Sequence, residues 1–226
     1  MAKKPSPGGI ALPMPIWDLP VRLFHWLLLV CIVVSYLSYR FDSMHVHVVS
    51  GYCVMTLLIF RIVWGVIGSD TARFSHFIKS PVAALRHLSH FFRREPDTQI
   101  GHNEAGGWMV LGLLLILAIQ VGTGLGANDD VVTEGPLAKH LGKELSDQFA
   151  HWHGVNFNVL LLAIAGHVAA VIAYAVFKGH DLVRPMVTGR KKLPAATPAP
   201  GMVHPIAALA VLVIAAAIVV AVAWFV

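Results

Sequence analysis

Charge is scarce in this chain. Of its 226 residues only 13% are Asp, Glu, Lys or Arg, against about 25% in a soluble domain. With 57% of the residues hydrophobic, folding in water would leave large apolar faces exposed, so the natural solvent is lipid. Cysteine is rarer still: Cys31 and Cys53 are the only two, and both lie inside apolar runs. They read as small packing residues rather than a disulfide or metal pair. A small-residue cleavage site is also missing. The opening MAKKPSPGG leads through IWDLP straight into a full-length apolar run, so no signal peptide is expected. The formal charge of +5 would suit nucleic acid in a soluble protein. In a chain this apolar, the placement of the basic residues sets topology instead, and no nucleic-acid partner is expected.

Long apolar runs are what the sequence has. Five of them, Leu19 to Tyr39, Val46 to Ile67, Gly106 to Gly126, Val155 to Phe177 and Ile206 to Val226, reach the roughly 20 residues that a bilayer core of about 30 Å requires. Lipid offers open backbone groups no partner, so these runs must be helices. The expected fold is an all-α membrane protein, a four-helix transmembrane bundle core with an additional C-terminal transmembrane helix. Residues 1–15 form an N-terminal tail, 16–192 the four-helix domain, 193–204 a Pro/Ala linker and 205–226 the last span. Asp18, followed by Leu19 and Pro20, reads as a helix N-cap with proline in the first turn.

The loops set the orientation. One side collects Lys3, Lys4, Arg22, Arg73, Lys79, Arg86, Arg93, Arg94, Lys178, Arg184, Arg190, Lys191 and Lys192. The other holds Arg40, Lys139 and Lys143 beside Asp129, Asp130, Glu134, Glu144 and Asp147. The positive-inside rule then puts the N-terminus in the cytoplasm and, after five spans, the C-terminus on the external side. The segment from Ala72 to Arg94 is basic and semi-amphipathic and is expected along the cytoplasmic interface. The fifth span is almost pure Ala, Val, Ile and Leu. It reads as an appended anchor or partner-docking helix, with oligomerisation through it one use.

Depth separates the 13 histidines. His76, His87, His90, His102, His140, His180 and His204 fall in or beside loops and read as solvated or interfacial. His25 and His167 lie inside apolar runs, where an ionisable group is costly and marks function. His47 and His153 begin the second and fourth spans from the outer side. The fourth span carries two histidines 14 residues apart, about 40° short of four turns and roughly 21 Å in rise. One helix face therefore presents an imidazole at an outer level and another at an inner level. His25 supplies a partner for His167, and His47 one for His153. A planar iron porphyrin takes an axial ligand from each side, and neutral imidazole serves. Gly51, one turn after His47, and Gly166, beside His167, leave room for such a ring. Interhelical hydrogen bonding by the histidines is the plainer alternative. Zinc held by His45, His47, His151 and His153 is another, and either His45 or His151 could replace its neighbour at the outer level.

The runs WDLPVRLFHW, HVVSGYCVMTLLIFRIVWGVIGSDTARFSHFIKSP, GHNEAGGWMVLGLLLILAIQVGTGL and HGVNFNVLLLAIAGH with DLVRPMVTGRKK resemble the bacterial cytochrome b561 family, which includes the cytochrome b subunits of nickel–iron hydrogenases. The resemblance implies four core helices holding two haem b groups through His25, His47, His153 and His167. His47 is favoured over His45 because the family histidine stands four residues before a Gly-Tyr pair, as His47 does before Gly51. His153 keeps the family spacing to the inner histidine, with Asn158 in place. Gly154 stands where the family often has an acidic residue, and the fifth span lies outside the common core.

The resemblance further implies electron exchange between membrane quinone and an external redox protein: a periplasmic cytochrome c, or a dehydrogenase or hydrogenase subunit. Arg22 and Arg40 are candidate propionate contacts, with snorkelling at the interface as the alternative. Arg61 and Arg73 are candidate quinone or propionate contacts. Two further classes stand beside this one, a self-contained superoxide:quinone oxidoreductase and a haem-free histidine-rich metal-binding protein.

Overall fold

In the computed structural model, residues 11–93, 96–129 and 133–225 are described; Lys3, Lys4, Arg94, Asp130 and Val226 lie outside them. Asp18 caps the first helix, α1 (Leu19–Arg40), by accepting from the Val21 N–H at 2.8 Å. Its second oxygen accepts from the Trp64 indole at 3.0 Å. That bond pins the start of α1 to the end of the second helix, α2 (Met44–Ile67).

Two short helices follow, α3 (Phe74–Phe77) and α4 (Pro81–Ser89). Along α4, Val82, Leu85 and Leu88 are exposed, the semi-amphipathic character expected. Asn103 caps α5 (Glu104–Gly126) through the Gly106 N–H at 2.7 Å. After α6 (Ala138–Leu141) comes α7 (Lys143–Ala173), which runs on through a turn of π-helix at Tyr174–Lys178. The chain ends with α8 (Val183–Thr188) and α9 (Pro205–Phe225).

Five of these helices are long and apolar enough to cross a membrane. In each, at most 33% of the apolar window is buried inside the molecule, so the remaining face needs lipid. The protein is an all-α, multi-pass membrane protein.

The fourth span begins 12 residues earlier than its apolar run. Gly142, at φ +74°, breaks the chain before it, and Lys143 pairs with Asp147 one turn on at 3.4 Å. With its π turn this helix counts 36 residues, about 54 Å, so its polar first turns stand clear of the apolar layer.

Nor are the tail and linker plain coil. Strand β1 (Ala11–Pro15) pairs antiparallel with β2 (Arg190–Pro194), Met14 opposite Lys191. Leu193 is fully buried beneath them. Prolines at the strand ends are tolerated because this ribbon has only edges. Such pairing joins residues far apart in sequence, and no alternating pattern in either segment announces it.

The fifth helix is built into the bundle. It packs along α2 through small residues, burying Ala208, Ala215 and Val219, the close approach expected between membrane helices. Ahead of it, Gly201 donates to Asp70 Oδ2 at 2.7 Å, Asp70 N–H donates back to Gly201 at 3.0 Å, and Val203 donates to Ser69 Oγ at 3.0 Å. Its opposite face, including Ile206, Leu209 and Val213, stays exposed.

Among the other spans, α1 packs along α2 and α5 along α7, with α2 meeting α5. The histidines lie between the α1/α2 pair and α7.

Candidate functional site

Near the basic end of the bundle, His25 of α1 faces His167 of α7 with ring centroids 6.4 Å apart and planes inclined by 57°. Trp26 packs edge-on against His25 at 4.9 Å. The Nδ1 of His25 is buried without a hydrogen-bond partner.

Nearer the acidic end, His47 of α2 faces His153 of α7 at 6.1 Å and 82°. Both rings are oriented by main-chain carbonyls. His47 Nδ1 lies 2.9 Å from the Ser35 oxygen, and His153 Nδ1 lies 3.0 Å from that of Gln120. A carbonyl only accepts, so each Nδ1 carries the proton and each Nε2 presents its lone pair. The Gln120 amide donates to His153 Nε2 at 3.1 Å and itself accepts from Asn156 at 2.7 Å. Ser50 and Ser35 share a 2.6 Å hydroxyl bond beside His47. Between the levels, Tyr36 of α1 stacks on Phe157 of α7 at 5.5 Å.

These separations test the haem that the resemblance implies. An imidazole nitrogen binds a metal at about 2 Å, so two rings opposed on one ion have centres about 6 Å apart. The observed 6.4 and 6.1 Å fit. Room beside the rings fits as well: a Cβ added at Gly51 or Gly166 would meet nothing within 4 Å. Gly124 is needed for another reason, since its Cβ would lie 3.0 Å from the His153 ring.

The rival ligands separate from this arrangement. His45 and His151 are exposed, and His151 packs on Trp152 at 5.5 Å. Among the described residues no group of three or more potential metal ligands comes together. Cys31 is half-buried and Cys53 exposed, both as free thiols.

The arginines divide. Arg22 donates to the Val187 carbonyl and so ties α1 to α8, while its Nε stays buried without a partner. Arg40 is exposed in the last turn of α1. Arg73 pairs with Asp70. Arg61 is only 2% exposed.

Of the loop histidines, His76, His140 and His204 are exposed, and His90 bonds the Arg86 carbonyl at 2.8 Å. His87 is half-buried beside Tyr174 and Glu104, and His180 is half-buried beside Asp97. His102 differs. It sits between Trp17 and Phe77, ring centroids 4.6 and 4.7 Å away, with Nδ1 buried and unpartnered. Burial first, then the charge on Arg61 and the nearby His167 and His25, lower its pKa from 6.5 to about 3, so the ring is neutral. Sequence position alone put His102 in a loop; only the packing of residues 17 and 77 shows that the half-buried ring has its Nδ1 shut from solvent. Gln120 was also missed, although a lone amide deep in an apolar run carries the same signal as an intramembrane histidine.

The family model of the prokaryotic cytochrome b561 matches residues 16–189, which include all four spans that supply or flank the facing histidines. No curated protein and no solved structure matches the chain. A family match of that extent, over a fold of this kind, places the chain in the prokaryotic cytochrome b561 family: it is a membrane b-type cytochrome, binding haem b and serving electron transport.

Proposed function

We propose that the chain holds two b haems, one between His25 and His167 and one between His47 and His153, and passes electrons between a periplasmic redox partner and the membrane quinone pool. The observation that carries this reading is the pairing itself. Imidazoles from separate helices face each other at 6.4 and 6.1 Å, at levels roughly 21 Å apart along α7.

When bound, haem supplies a reversible one-electron iron couple. The protein's part is to fix the ligands. The carbonyls of Ser35 and Gln120 hold the outer histidines in the tautomer that leaves the lone pair on Nε2, and such outer contacts raise ligand basicity. At His153 the Gln120 amide that donates to Nε2 would turn aside for the iron. Two protein ligands per iron leave no open position, which favours electron transfer over oxygen binding. Arg22 and Arg40 flank the two levels as candidate propionate contacts.

The basic end, with Arg73, Lys79, Arg86 and Lys191, faces the cytoplasm of a bacterial inner membrane under the positive-inside rule. The His47–His153 level is then the outer one. The partner there is a periplasmic cytochrome c or a hydrogenase or dehydrogenase subunit, and quinone exchanges electrons from the lipid. The exposed face of α9 is available for oligomerisation or subunit docking.

A haem count and redox titration on His25→Ala, His47→Ala, His153→Ala and His167→Ala tests the assignment. Wild-type protein should carry two haems with bis-histidine spectra. Each variant should lose one potential component, the same one for both members of a pair. Loss of different components within a pair would overturn the pairing. Fast reduction by superoxide with no partner protein would instead identify a self-contained superoxide:quinone oxidoreductase, and pigment-free protein a haem-free metal binder.

A further inference from the structure

Arg61 is a buried cation with no ion-pair partner among the described residues. It is 2% exposed, its Nη1 has no hydrogen-bond partner, and no carboxylate among the described residues makes an ion pair with it. Asp18 is the acid whose field reaches it, but both of that residue's oxygens are engaged, one by the Val21 N–H and one by the Trp64 indole. The guanidinium lies over the Phe74 ring at 4.9 Å. Gly65 makes this cover possible, because a Cβ there would fall 2.1 Å from Phe74 Cε2. The fold therefore goes to some length to keep Arg61 dry. Desolvating a guanidinium without an anion is among the costliest arrangements a protein can hold.

Its position gives the reason. Arg61 follows His47 on α2 by 14 residues, the same interval that separates His167 from His153 on α7. Both helices run from the acidic end to the basic end, so the interval carries each chain the same distance inward, on nearly the same helical face. Arg61 thus stands at the level of His167, with the second unpartnered atom of this region, His102 Nδ1, nearby.

We propose that Arg61 is the carboxylate anchor of the inner haem, gripping one of its propionates, with the unpartnered His102 Nδ1 supplying a hydrogen-bonding neighbour. This rests on the reading that His25 and His167 hold a haem. A b-type porphyrin carries carboxylates on one edge, and the planar guanidinium fork matches a carboxylate's two oxygens. A quinone carbonyl is neutral and would leave the Arg61 charge uncompensated. The Asp18 field alone cannot replace the missing hydrogen bonds, since its carboxylate makes no ion pair with the guanidinium and leaves Nη1 without a partner.

The test is a redox titration of the full-length protein with its own haem, comparing wild type with Arg61→Gln and Arg61→Lys. The inner component is identified by its loss in His25→Ala, and resonance Raman reads the propionate bending band. Removing a cation beside the iron disfavours the reduced form. Arg61→Gln should lower the inner midpoint and shift the propionate band, leaving the outer component unmoved as an internal control. Arg61→Lys should keep much of the potential yet still shift the band, because the fork is gone. An unshifted band and midpoint in Arg61→Gln would overturn the anchor while the two-haem reading stands, and a raised quinone KM alongside would hand Arg61 to the quinone. Should Arg61→Gln fail to accumulate, a wild-type band in Arg61→Lys overturns the proposal by itself. Wild-type protein without an inner component would overturn the parent reading first.

Discussion

His47 and His153 face each other across 6.1 Å while each turns its Nδ1 back onto a carbonyl of a neighbouring helix, Ser35 for one and Gln120 for the other. The inner pair lacks this support, since His25 Nδ1 has no partner. The outer level is therefore oriented by the protein backbone, which side-chain substitution barely touches. What substitution can reach is the space around the rings.

Gly124 offers that access. A Cβ there would lie 3.0 Å from His153 Cε1 and 3.2 Å from Nδ1, whereas at Gly122 it would meet nothing within 4 Å. Ala is favoured over Gly in a helix by about 1 kcal/mol, so any loss from Gly124→Ala is steric. Gly124→Ala should displace the outer ring, shifting or removing the outer redox component and sparing the inner one. Gly122→Ala should leave both components where they were. Potentiometric titration of the two variants side by side checks this.

Asp18 joins two helices through one carboxylate, capping α1 and accepting from Trp64 at the end of α2. Loss of a cap costs about 1 kcal/mol and loss of a charge-assisted hydrogen bond about 1.5–3 kcal/mol. Asp18→Ala should therefore destabilise the protein by about 2.5–4 kcal/mol. Asp18→Asn keeps an acceptor for the cap and should recover part of that. Denaturation in detergent, followed by helical circular dichroism, measures both.

The elements that sequence reasoning reached are those governed by local chemistry. Asp18 with Pro20 announced a helix start, apolar length announced the spans, and the 14-residue interval on one helix put His153 and His167 on one face. What escaped depends on partners far along the chain. Ala11–Pro15 becomes a strand only because Arg190–Pro194 lies beside it. His102 has its Nδ1 shut from solvent only because Trp17 and Phe77 close on the ring. The early start of α7 escaped for a different reason: hydropathy marks where lipid begins, while Gly142 marks where the helix begins.

His102 makes stability depend on pH in a definite window. Its folded pKa is about 3, below the ordinary 6.5, so the unfolded chain binds the extra proton between those values. Stability is then full above pH 6.5 and falls as pH drops toward about 3, by at most about 1.4 kcal/mol per pH unit. His102→Phe should flatten that slope. Thermal midpoints measured from pH 7 to pH 4 decide it; parallel curves for variant and wild type would show that His102 bears no such load.

Asp70 acts at the acid end of that window and on a different element. The Gly201 backbone N–H first, then Arg73, hold its carboxyl below the usual carboxylate range. A depressed carboxylate stabilises the fold above its unfolded value near 3.8 and loses that contribution as pH falls through its lower folded value. At neutral pH the contact should be fully made, so its removal must be read by substitution. Asp70→Ala strips the acceptor from the Gly201 N–H but keeps the backbone bond from position 70 to the Gly201 carbonyl, and Val203 on Ser69, as the remaining ties to the segment before α9. A net hydrogen bond of about 1 kcal/mol corresponds to roughly fivefold in local opening. Hydrogen exchange at the Gly201 amide should therefore quicken about fivefold in Asp70→Ala. Exchange within α9 should stay slow, because Ala208, Ala215 and Val219 remain packed on α2. Fast exchange throughout α9 would mean that the loop bonds, rather than the small-residue seam, hold the fifth helix in place.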